Sequence, residues 1–91
     1  MDNDIELALE SPDGIIDCRL EPFREEGELF YSATILYPQI VNGYSRSHTY
    51  CHTLRPDPET GDYHFETSDE TIHPKVRKLE GQLSHAIVNA K

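Results

Sequence analysis

The sequence predicts an α+β fold, in which an antiparallel meander of about five strands carries one C-terminal amphipathic helix packed on one face, in the order β-β-β-β-β-α. Three observations predict it. Apolar residues alternate with polar ones through the first half of the chain, the period of a half-buried strand. Turn-forming segments separate these runs in registers that place one apolar set on one face. From Pro74 onward the period lengthens to that of a helix.

Ile5, Leu7 and Leu9 alternate along the first strand. Ser11-Pro12-Asp13-Gly14 reverses the chain, with Pro fixing φ and Gly accepting a positive φ. Ile16, Cys18 and Leu20 then resume the alternation, and pairing Leu9 with Ile16 sets Leu7 against Cys18 and Ile5 against Leu20. A turn over Arg24-Glu25-Glu26-Gly27 leads into the longest strand, roughly 28–37, with Leu29, Tyr31, Ala33 and Ile35 on one face. Pairing Leu20 with Tyr31 would put Cys18 against Ala33 and Ile16 against Ile35. Both turns turn the same residues inward.

Asn42-Gly43 is the strongest short hairpin signal in the chain. A tight turn there sets Tyr50 against Ile35 on the core side. A bulge at Pro38 slips the register by one, and this second register is the expectation, because Pro inside a strand often marks a bulge. It turns Thr49 and Cys51 inward with Tyr63 and Phe65 of a short fifth strand, and places His48, Tyr50, His52 and His64 on the opposite face. The loop 55–61 joins the fourth strand to the fifth. Val76, Leu79, Leu83 and Ile87, with Ala86 and Ala90, form the helical stripe, Pro74 suits the first turn, and Gly81 falls on the solvent side.

The 91 residues are read as a single domain, 36% apolar and therefore thin in its core. A net charge of −9 argues against nucleic acid and against anionic membranes as partners. The charge is uneven. Residues 1–30 hold ten acids against Arg19 and Arg24, whereas 71–91 hold Lys75, Arg77, Lys78 and Lys91 against Glu80. The opening residues lack a basic region followed by an apolar run, and no stretch approaches a membrane span, so the expected location is cytoplasmic. Cys18 and Cys51 show no CxxC spacing and are expected as reduced core thiols, two strand spacings or roughly 9.5 Å apart.

No nucleophile elbow, phosphate loop or dinucleotide fingerprint occurs, so the expectation is a non-enzymatic domain without a cofactor. It would act through protein contact with a partner or with itself as a homodimer. The expected surface is the outer sheet face, where Ile15, Phe30, Leu36 and, in the slipped register, Tyr50 point away from the helix; a free sheet edge is the other route. The competing readings are a small ligand-binding domain and a zinc-type metal module. The metal module draws on five histidines, with His52, His64 and Glu66 converging on one sheet face. His48 is too far along the strand from His52, at roughly 13 Å, to join a tetrahedral site.

Overall fold

The computed structural model describes residues 3–66 and 72–90. Five strands, β1 (Ile5–Ser11), β2 (Gly14–Glu25), β3 (Glu28–Val41), β4 (Tyr44–Pro56) and β5 (Tyr63–Phe65), form one antiparallel sheet in sequential order. Two helical pieces follow, α1 (Pro74–Arg77) and α2 (Glu80–Asn89). They are nearly one helix. Leu79 N–H donates to the Val76 carbonyl, a tightened turn, and Leu83 N–H then donates to the Leu79 carbonyl.

The first hairpin has the expected register: Ile5, Leu7 and Leu9 lie opposite Leu20, Cys18 and Ile16. Ser11 Oγ donates to the Gly14 carbonyl and accepts from Asp13 N–H, which closes the turn. The second hairpin departs from expectation by two residues. Glu25 pairs with Glu28, so Leu20 faces Ala33 and Cys18 faces Ile35. Glu26 and Gly27 are the two central residues, with φ of 52° and 84°. A two-residue turn with both φ values positive matches the twist of the flanking strands, and it draws Gly27 to the centre instead of the end of the turn. A shift of two preserves the side-chain faces, so the inward set is unchanged.

The third hairpin corrects the slipped register. Asn42 (φ 51°) and Gly43 (φ 80°) form the tight turn, Val41 pairs with Tyr44, and Ile35 pairs with Tyr50. Pro38 lies opposite Ser47 in an unbroken ladder. No bulge is needed, because β2–β3 pairing stops at Asp17 and Leu36 and a missing N–H at Pro38 on the β2 side costs no ladder bond. Cys51 is consequently exposed, and Tyr50 lies on the helix side, packed against the core.

The core occupies the space between the inner sheet face and the helix. Ile16, Leu20, Ala33, Ile35, Leu54 and Tyr63 meet Val76, Leu83 and Ile87, all essentially inaccessible to water. Tyr31 and Tyr63 pack edge to face, ring centroids 5.4 Å apart, and Tyr63 Oη donates to the Leu29 carbonyl at 3.0 Å. α2 lies along β5 and bonds to its outer edge. Tyr63 N–H donates to Ser84 Oγ (2.8 Å), and Phe65 N–H donates to Glu80 Oε2 (2.9 Å).

Two substitutions should separate packing from this polar clamp. Leu83→Ala removes a fully buried side chain and is expected to cost about 2–5 kcal/mol. Ser84→Ala leaves a buried N–H without its acceptor and is expected to cost about 1–3 kcal/mol. Urea titration followed by circular dichroism measures both, and Ser84→Ala equal to wild type would show that the clamp contributes nothing.

Candidate functional site: the uncovered sheet face

With the helix covering one side, the other side of the sheet is left open to water. Ile15, Phe23 and Leu36 expose 52%, 37% and 38% of their surface there, large values for apolar side chains in strands. Phe30 stands directly across from Phe23, and the rings meet edge to face at 5.5 Å. Three of the four residues expected on this face, Ile15, Phe30 and Leu36, therefore face outward. The fourth, Tyr50, does not: its ring stands 4.5 Å from His48 and 5.7 Å from His73, which precedes α1. Phe23 joins the face although Pro22 interrupts the apolar alternation just before it.

Between the apolar groups lies a shallow hollow of about 570 Å³, lined by Glu6, Ala8, Asp17, Arg19, Thr34 and Leu36. Its β1–β2 side is acidic. Glu6, Glu10, Asp17 and Glu21 share it with Arg19, whose guanidinium bonds Asp4 at 2.8 Å and approaches Glu21 at 3.7 Å. The Asp4 hydrogen bond is the main reason the Arg19 charge is held even more firmly than usual, so Arg19 neutralises its own neighbours and leaves Glu6, Glu10 and Asp17 in excess. The β3–β4 side is the opposite. Residues 29–56 contain no Asp or Glu, although the chain has 17. Thr34, Thr49, Cys51 and Thr53 line the outer face there. A count of acids along the chain gives this signal directly.

The structure separates the metal candidates. His52 shares the inner face with Leu54 and packs on Phe65 at 5.6 Å, while His64, opposite Arg55, points outward. Glu66 follows two residues after His64, so the two carry their side chains to the same side and His52 to the other. The tight third hairpin is the cause. Among the described residues, no group of three or more His, Cys, Asp and Glu side chains is arranged to hold a metal ion. His64 is instead flanked by two carboxylates, Asp57 at 3.6 Å from Nε2 and Glu80 at 3.4 Å from Nδ1. The Asp57 carboxyl is held below its ordinary range, chiefly by the Glu59 N–H. Its contribution to stability is therefore present at neutral pH and lost as pH falls through the lowered value.

The two thiols lie on opposite faces, which corrects the expectation that both point inward. Burial, assisted by the Asp17 charge, pushes the Cys18 thiol up to about 11. Comparison with protein-family models, with curated proteins and with solved structures finds no match to this chain. Among the described residues, no helix is long and apolar enough to cross a membrane.

Alkylation with iodoacetamide followed by mass spectrometry should give a single adduct on the native protein, at Cys51, and a second only in denaturant. Native labelling of Cys18 would contradict the closed inner face.

Proposed function

We propose that this chain is a non-enzymatic domain that works by protein contact, and that its uncovered sheet face receives a partner bearing basic and apolar side chains. The observation that carries this reading is the composition of that face: Ile15, Phe23 and Leu36 stand exposed beside an excess of carboxylates. Apolar groups supply the area whose removal from water drives association, at about 25 cal/mol per Å². The carboxylates of Glu6, Glu10 and Asp17 select the sign of the partner and speed its approach. A Lys or Arg suits both demands, since its aliphatic stem can lie on Leu36 and Ala8 with its cationic end near Asp17.

Fluorescence polarisation with a labelled peptide of alternating Lys and Leu, and with its Glu/Leu counterpart, tests the reading. The Lys/Leu peptide should bind, less tightly at high salt, and the Glu/Leu peptide should not. Leu36→Ser and Asp17→Lys should each weaken binding about tenfold, a loss of about 1.4 kcal/mol, without changing the unfolding midpoint by more than a few degrees. Equal binding by Leu36→Ser and wild type would reduce the effect to charge alone and overturn the reading.

A further inference from the structure

Among the described residues, the edge of β4 is unpaired over most of its length, away from the outer face. β5 pairs with β4 only over Leu54–Pro56, and Glu66 N–H adds one bond to the Thr53 carbonyl. Among the described residues, no strand lies beside β4 from Tyr44 to His52. In an antiparallel ladder, alternate residues direct both backbone polar groups to the same neighbour. Thr53 directs its carbonyl toward the β5 side, so Ser45, Ser47, Thr49 and Cys51 direct their N–H and C=O groups to the free edge. All four residues are exposed.

Edge strands are ordinarily guarded by charge, proline, bulges or brevity. The opposite edge of this sheet, β1, carries Glu6 and Glu10 with Asp4 just before it, so two copies meeting there would repel. Between Tyr44 and Arg55, β4 has neither proline nor bulge and little charge. Its ladder with β3 is unbroken, it contains no proline before Pro56, and its one charge in the free stretch is Arg46. In a chain of net charge −9, self-association is opposed wherever carboxylates face each other, and the span 29–56 has no carboxylate.

We propose that a second copy of this chain docks on that edge, β4 against β4 about a two-fold axis, to give one continuous ten-stranded sheet. Closed two-fold pairing makes the strands antiparallel. Symmetry about His48 sets Ser47 against Thr49 of the second copy and Ser45 against Cys51, so every outward backbone group is used in about eight hydrogen bonds. Moving the axis by one residue along the strand in either direction leaves one outward residue of each copy unpaired. The same register brings Tyr50 over Arg46 of the second copy, a favourable cation–ring contact. Exposed Ile40, Val41 and Tyr44, at the tip of the β3–β4 ribbon, extend the contact beyond the paired stretch. The two outer faces then lie on one side of the joined sheet, which makes the assembly bivalent for whatever that face binds.

Native mass spectrometry and light scattering on the purified chain should show a dimer. Ser47→Pro deletes an N–H that β3 does not use, and Thr49→Lys introduces a charge near the axis on the outer side; each should raise the dimer dissociation constant about a hundredfold or more with an unchanged circular dichroism spectrum. A positive readout guards against a misfolded variant: His48→Cys in a Cys51→Ser background should form an intermolecular disulfide under mild oxidation, because residues meeting at the axis lie within reach of that bond. A wild-type chain that stays monomeric at every concentration would overturn the proposal. So would a dimer indifferent to both edge variants, and one abolished by Leu36→Ser would move the second copy to the outer face. Binding of the Lys/Leu peptide by the edge variants is read separately, so the two surfaces fail or stand independently.

Discussion

Two N–H groups at the outer edge of β5 have to be satisfied by something other than a strand, and α2 satisfies them with side chains. Glu80 and Ser84 are four residues apart on the helix, about 6.0 Å along its axis. Tyr63 and Phe65 are two residues apart on the strand, about 6.6–6.8 Å. The near match lets one helical turn and one strand repeat align, so two hydrogen bonds fix both the height and the direction of α2. Leu83 and Ile87 of α2, with Val76 of α1, are then buried in one cluster with Leu54, Ile35 and Leu20. A three-residue strand would otherwise be a weak end to the sheet.

This clamp also decides which side of the sheet meets water. The helix is short, and the sheet has a second face that no described element covers. That face is divided by charge along the same line as the sequence: β1 and β2 supply most of its carboxylates, and residues 29–56 of β3 and β4 supply none. An even mixture of signs would do as much for solubility. Segregation does something further, since it gives one part of the surface a strong preference for cations and frees another part from like-charge repulsion.

The side-chain faces were legible in the sequence and the exact pairings less so, for a reason of parity. Moving Leu20 from Tyr31 to Ala33 leaves every inward residue inward, so the alternation of Ile16, Cys18, Leu20, Tyr31, Ala33 and Ile35 determines the core whichever two-residue turn is used. The third hairpin had no such protection. A proline in a strand is compatible with a bulge or with a neighbour that has already ended, and no residue of β2 announces that its pairing stops at Asp17. Tyr50, Cys51, His48 and His52 all change face on that one point, and the proposed metal trio changes with them. Ile15, Phe30 and Leu36 depend only on the first two hairpins and were legible. The Glu80–Ser84 clamp was not, because polar residues beside an apolar stripe leave no trace in periodicity.

The two edges of the sheet are guarded differently. An antiparallel sheet with sequential strand order has two ends, and natural sheets blunt both. Here β1 is blunted by its own acids, and the far end is closed by the β5–α2 clamp over only Tyr63–Phe65. β4 is thirteen residues long and outruns β5 by most of its length. A strand that long could have been protected by a single lysine or by a proline at Ser47 or Thr49, either of which the β3 ladder would tolerate. The chain instead places small hydroxyl residues there, inside its longest stretch without a carboxylate. The acids of β1 oppose pairing of that edge with the same edge of another copy, whereas the β4 edge, whose one charge in the free stretch is Arg46, meets no carboxylate repulsion of its own.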